Sequence, residues 1–370
     1  MVARLLILVC MALLGPVVAW AQAPIVVHHI GPFTGVLAGS NLEAITGARL
    51  FLDGLNARGG VGGRPVKLET LDDGQDAKKA AALLEQLLAE KKVLALLMPR
   101  TTPSTEALLP LIAKAGIPMI GPQSGASFVN DPPKREVFPL RASYQKEAER
   151  AIRQQHSIGV RSFGLLLADD AFGRDTMAGV DRVMKELKLA PAVIARFDNR
   201  KADVAAAVHE IAQKRPEVVL LISSSKAAAE FIKGYRGLGQ AATFVSLSNT
   251  SNIDYIEALG EHKRGAIVMQ VMPSPFSGNT ALARDYGAAA AAAKTPPSYA
   301  GFYGFAVAKL LGQALARAGK DITPSSLVQA LEGLGEIDLG GYRLHYGPGD
   351  RTGSTYVDST IITQDGRFMR

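Results

Sequence analysis

The sequence predicts an α/β fold of two doubly wound lobes, and three observations point to it. Short β-branched runs alternate with helix-patterned segments along most of the chain, the order that yields a parallel sheet covered by helices. The alternation runs once to about residue 140 and then restarts. At 370 residues, 48% of them apolar, the chain is too long for one ordinary domain and can bury two cores.

The first lobe begins with a strand over residues 25–30 and a helix over 41–57. Gly59, Gly60, Gly62 and Gly63 stop that helix. A strand at 66–71 and a helix at 78–90 follow. The short apolar run 93–97 reads as a buried parallel strand, followed by a helix at 104–115 and a strand at 117–120. After residues 137–140 come a helix at 146–155, a strand at 163–167 and a helix at 175–187. A strand at 193–197, a helix at 204–214, a strand at 218–222, a helix at 227–238 and a strand at 244–247 complete the second lobe. Residues 267–271 lead to Pro273 and Pro275, a return crossing.

Helices at 281–293, 299–318 and 326–334 have no strands of their own, so they are expected to pack on the first sheet. Residues 342–346 and 355–362 read as a closing pair of strands around Gly347-Pro348-Gly349. The expected division is a signal peptide at 1–21, lobe 1 at 22–140 plus 273–341, and lobe 2 at 141–272 plus 342–370.

The N-terminus reads as a secretory leader. Arg4 precedes the apolar run 5–18, and Ala19-Trp20-Ala21 is an A-x-A cleavage site before Gln22. The run is short for a spanning helix. Cleavage removes Cys10, the only cysteine, so the mature chain has no thiol and no cysteine metal ligand. Losing Arg4 takes the formal charge from +7 to +6. Lys and Arg are scattered among acids, with few aromatics and no basic stripe, which argues against nucleic acid. A soluble mature protein in the periplasm is expected.

Catalytic signatures are absent: there is no G-x-S-x-G elbow, P-loop, H-E-x-x-H, or G-x-G-x-x-G leaving a strand. His28 and His29 are adjacent on a strand and point to opposite faces, which suits a structural role better than chelation. Asp72-Asp73 and Asp169-Asp170 end strands but lack the spacing of an acid/base pair. No cofactor and no metal is expected.

What remains is a set of polar strand-to-helix turns at the carboxyl ends of strands, where open α/β sheets hold ligands. Thr101-Thr102-Pro103-Ser104-Thr105 is the strongest, with Thr102 as N-cap and Pro103 opening the helix. The others are Gly121-Pro122-Gln123-Ser124-Gly125, Phe172-Gly173, Ser223-Ser224-Ser225 and Ser248-Asn249-Thr250-Ser251. Together they describe two facing crevices lined by hydroxyls, amides and helix N-termini, which favours binding over catalysis.

At these residues the chain resembles the leucine/isoleucine/valine-binding protein family of periplasmic type I solute-binding proteins, over nearly the whole mature length. The resemblance rests on Gly31-Pro32 with Thr34-Gly35, on residues 56–64 (NARGGVGGR), on Asp72-Asp73, on residues 115–120 (AGIPMI) and on Asp170-Ala171-Phe172-Gly173. It implies two Rossmann-like lobes joined by a three-stranded hinge, a Venus-flytrap architecture, and uptake through an ABC permease. It also implies a ligand carboxylate held by Thr102, Gln123, Ser124 and Gly125. Phe172 and Ser224 or Ser225 match second-lobe wall positions, and Ser40 stands where an aromatic often lines the pocket. The family's amino-acid binders carry an acid after the strand at 244–247, but here Ser248 and Asn249 are neutral. A buried ammonium without a counter-charge is costly. The expected solute is therefore a carboxylate or a neutral polar molecule, unless Asp169 or Asp170 supplies the charge. A ligand-sensing receptor subunit would share this sequence pattern; an exported enzyme would need a reactive group that the turns do not offer.

Overall fold

The computed structural model describes residues 23–370; the expected leader and its expected cleavage site lie outside them. Five parallel strands form the first sheet: β1 (Ile25–Gly31), β2 (Val66–Asp72), β3 (Leu96–Leu97), β4 (Met119–Ile120) and β5 (Val137–Phe138), in the order β2-β1-β3-β4-β5. The register runs His28 to Leu96, Leu96 to Met119 and Met119 to Val137. Between the strands lie α1 (Ala38–Ala57), α2 (Ala77–Ala89) and α3 (Thr102–Ala115). The strand expected at 93–97 pairs only at Leu96 and Leu97.

The second sheet has seven strands in the order β15-β14-β10-β9-β8-β6-β7. Its parallel part is β6 (Phe163–Ala168), β7 (Val193–Phe197), β8 (Val218–Ile222), β9 (Thr243–Ser246) and β10 (Ile267–Gln270). Helices α4 (Tyr144–Ser157), α5 (Ala171–Glu186), α6 (Ala205–Lys214), α7 (Ser225–Gly237) and α8 (Ile253–Leu259) accompany it. Strand β8, VVLLI, is buried at every residue, because helices cover both faces of a central parallel strand.

The last segment returns to the first lobe, as its strandless helices require. Helices α9 (Ala281–Ala292), α10 (Tyr299–Ala318) and α11 (Pro324–Glu332) bury Tyr286, Phe302, Leu311 and Leu331 against Val27, Ile45 and Leu97. Helix α10 meets α1 backbone to backbone: a Cβ on Gly47 would lie 1.8 Å from the Gly301 carbonyl oxygen, and one on Gly304 would lie 1.8 Å from that of Ala44. Residues 342–346 and 355–362 are not one closing pair. Strands β11 (Glu336–Asp338), β12 (Arg343–Gly347) and β13 (Asp350–Gly353) form their own antiparallel sheet. Tyr342, Leu344 and Tyr346 sink into the first lobe's core. Only β14 (Asp358–Ile362), antiparallel to β10, and β15 (Phe368–Met369) join the second sheet. Residues 342–353, expected in lobe 2, thus belong with lobe 1, and the final change of lobe falls after β13.

The described chain passes between the lobes three times, near Leu140, Val271 and Ser354. The Tyr342 hydroxyl shares its one proton between the carbonyls of Leu140 and Val271, and the Tyr346 hydroxyl donates to that of Pro139 at 2.8 Å. The lobes also touch beside the cleft. Ser127 N–H donates to Asp175 Oδ1 at 2.8 Å, and Ile253 N–H to Glu43 Oε1 at 3.0 Å. Among the described residues no helix is long and apolar enough to cross a membrane.

Candidate functional site between the lobes

A cavity of about 890 Å³ opens between the carboxyl ends of the two parallel sheets, within the size range of small-molecule sites. Its first-lobe wall includes Arg100, Thr101, Thr102 and Pro103; its second-lobe wall includes Tyr144, Phe172, Asn199, Ser224 and Asn249. Beneath it lies a recess of about 50 Å³ lined by Arg100, Gln123, Arg141, Ser248, Asn249, Gln270 and Tyr303, among others. Arg100 and Asn249 line both, so they mark the neck between them.

Sequence places Thr102 as the helix cap, but Thr101 takes that role. Thr101 is extended (φ −87°, ψ 153°) and its Oγ1 accepts from Ser104 N–H at 3.0 Å. Thr102 is the first helical residue and Pro103 the second. The Thr102 hydroxyl is thereby released from capping and lies 2.9 Å from that of Ser124. On the opposite wall Asp170 and Ser224 cap α5 and α7, and Ser224 N–H donates to Asn199 Oδ1 at 2.9 Å. Phe172 meets Tyr144 edge-on with centroids 4.6 Å apart. Gly173 beside it is required by close approach: a Cβ there would lie 1.9 Å from the Ala168 carbonyl oxygen.

Of the ten residues singled out from sequence, Thr102, Phe172, Ser224 and Asn249 line the main cavity, and Gln123, Ser248 and Asn249 the recess. The other four stand behind these walls. Ser40 Oγ accepts from Arg100 at 2.9 Å. Ser124 supports Thr102, and Ser225 Oγ accepts from Asn252 at 2.8 Å. Gly125 accepts from Tyr144 N–H at 2.7 Å and leaves room for Arg141, which lies 2.9 Å from where its Cβ would be.

Sequence reasoning missed the charged groups. Arg100 follows β3 through Met98, whose φ of 51° is left-handed and strained for a residue with a side chain. The Met98 N–H donates to Ile120 and its carbonyl accepts from Gln123 Nε2 at 3.1 Å, which holds the turn. The Arg100 guanidinium donates to Gln123 Oε1 at 3.2 Å and to Ser40 Oγ, both neutral, while its buried Nε–H has no protein partner. Burial pushes its pKa down, and the nearby Arg141 charge adds to this.

Arg141, after β5, differs. It pairs with Glu147, which is 0% exposed, and donates to Ser248 Oγ at 2.8 Å and to the Gln123 carbonyl at 2.9 Å. Glu147 also accepts from Ser248 N–H at 2.7 Å and Ser248 Oγ–H at 3.0 Å. Burial disfavours the Arg141 charge most, but Glu147 together with the Tyr144 and Tyr303 phenols outweighs it and raises the guanidinium above its ordinary range. A single arginine just past a strand end was the available signal for both.

His29 is spent on structure. Its Nδ1 lies 3.0 Å from the Leu97 carbonyl and its Nε2 3.1 Å from Asn41 Nδ2; burial lowers its pKa to about 4. Among the described residues no cluster of three His, Cys, Asp or Glu could hold a metal ion.

Two parallel α/β lobes, three crossings and a polar cavity between them define a two-lobed solute-binding protein. The periplasmic binding protein family model matches residues 24–367, and the chain belongs to that family, in its type I form. A substrate-binding periplasmic protein from Ralstonia solanacearum is 30% identical, with 93% of this chain and 99% of that one covered at a TM-score of 0.88. A branched-chain amino acid ABC transporter protein from Thermus thermophilus, solved with bound valine, shares the fold at 19% identity, 94% and 95% coverage and a TM-score of 0.83. An amino acid binding protein from Pseudomonas aeruginosa is 23% identical over 229 residues, 61% of each chain. The family and these relatives bind solutes rather than turn them over, and this chain is a substrate-binding protein.

Proposed function

We propose that the chain is the extracytoplasmic substrate-binding subunit of an ABC uptake transporter, exported to the periplasm behind a leader cleaved near Ala21. It captures a small carboxylate between its lobes and presents it to the permease. Arg100 supports this reading most directly: a half-buried guanidinium on the cavity wall with neutral hydrogen-bond partners and an unused Nε–H. A carboxylate would satisfy both the charge and the donor. The hydroxyl of Thr102, backed by that of Ser124, and the amide of Gln123 then orient the anion, and Phe172 and Tyr144 cover the ligand body from the second lobe.

A thermal-shift screen over amino acids, aromatic acids and dicarboxylates tests the ligand class. A ligand at one hundred times its Kd stabilises by about 2.7 kcal/mol. Neutral sugars as the only stabilisers would remove the carboxylate. Scattering with and without the hit tests lobe closure, which requires a smaller radius with ligand. N-terminal sequencing of a periplasmic extract tests export, with Gln22 as the expected first residue.

A further inference from the structure

We infer that the preferred ligand is a carboxylic acid bearing a neutral hydrogen-bond donor, such as a hydroxyl, next to its carboxylate, and that the site discriminates against an amino group there. This rests on the carboxylate reading above. Arg100 and Asn249, which line both the cavity and the recess, each hold a buried polar atom without a protein partner, and these two atoms carry it. Arg100 Nε–H is a buried donor without a protein acceptor, and Asn249 Oδ1 is a buried acceptor without a protein donor. The Asn249 orientation is fixed by its other end, where Nδ2 donates to the Ser223 carbonyl at 2.9 Å. A ligand that spans the neck must therefore offer an acceptor to one side and a donor to the other. A carboxylate with an adjacent hydroxyl does both.

An ammonium is also a donor, but no acid lines the recess and each acid lining the cavity already has partners. Behind the recess, Glu147 is taken up by Arg141 and by both Ser248 donors. The cavity's aspartates are engaged as well. Asp76 and Asp170 cap helices, Asp169 pairs with Arg196 and Asp198 with Arg200. Adding a cation beside Arg100 and Arg141 would leave a partly desolvated positive charge unbalanced. Asn249 accepts from a neutral donor without that penalty.

Matched triads test this in calorimetry: lactate, propionate and alanine; malate, succinate and aspartate; 3-phenyllactate, 3-phenylpropionate and phenylalanine. In the frame that fits, the hydroxy acid is expected to bind more than about tenfold tighter than the amino acid, a difference of about 1.4 kcal/mol, with the unsubstituted acid between them. Asn249→Asp supplies the missing counter-charge and should raise the affinity ratio of amino acid to hydroxy acid at least about tenfold; an unaltered melting curve shows that the variant folds. An amino acid binding tightest of its triad in the unaltered protein overturns this inference and leaves the carboxylate reading standing. Failure of every acid to bind, alongside a neutral sugar that does, overturns both.

Discussion

Two arginines face the same recess and lead different lives. Arg141, at the first crossing, is locked into Glu147, Ser248 and the Gln123 carbonyl, with its guanidinium 4.4 Å from the Tyr144 ring centroid. Arg100, on the first-lobe wall, meets only Gln123 and Ser40. The first is saturated and holds the architecture; the second has binding capacity left over. On the proposed reading, which charge is structural and which is functional follows from the partners each has already acquired, more than from burial or residue type.

The largest effect expected from this contrast is on stability. Glu147→Ala strands the Arg141 charge and should cost about 3–5 kcal/mol in denaturant unfolding; a cost under about 1 kcal/mol would make the two arginines alike. Arg100→Gln should weaken a carboxylate ligand by about 2–3 kcal/mol in calorimetry while leaving the denaturation midpoint unchanged or raised, because it removes a half-buried charge that has no counter-ion. A matching loss of stability would assign Arg100 to the scaffold.

Glu43 sharpens the comparison at the lobe contact. Burial raises its carboxyl to about 7, against an ordinary 4.5. The folded state then holds a proton that the unfolded state has released, so stability is fullest below about pH 4.5 and falls as pH rises through about 7. Glu43→Gln should flatten that slope by about 2 kcal/mol between pH 5 and 8, measured without ligand. The smallest effect is at Thr102. Thr102→Ala removes one hydroxyl from the wall and should weaken the ligand by about 1 kcal/mol; unchanged affinity would make the Thr102–Ser124 pair a support rather than a contact.

Most elements were legible because periodicity reports burial directly. The all-apolar run at 218–222, bounded by helix patterns, suits a strand covered on both faces, and the pattern at 299–318 is long enough to be a helix. Sheet membership was less legible. Strands β12 and β14 carry similar short patterns, and what separates them is distant: Tyr342 and Tyr346 reach carbonyls of residues 139–140. The polar turns were visible as turns, yet the charges behind them were not. Arg141 and Glu147 are only six residues apart, but Ser248, 107 residues further on than Arg141, closes the network. A lone arginine leaves no pattern in a sequence; its character is set by neighbours that only folding supplies. Thr101 and Thr102 show the same limit at close range, since either hydroxyl could cap and only backbone angles decide.

The shared phenol of Tyr342 has a mechanical consequence. One oxygen lies within hydrogen-bond reach of two of the three linkers. A joint pinned at one point is expected to turn about that point rather than slide. Spectroscopic labels on facing rims should then report a single concerted displacement, and Tyr342→Phe should split it into several amplitudes while leaving both cores intact.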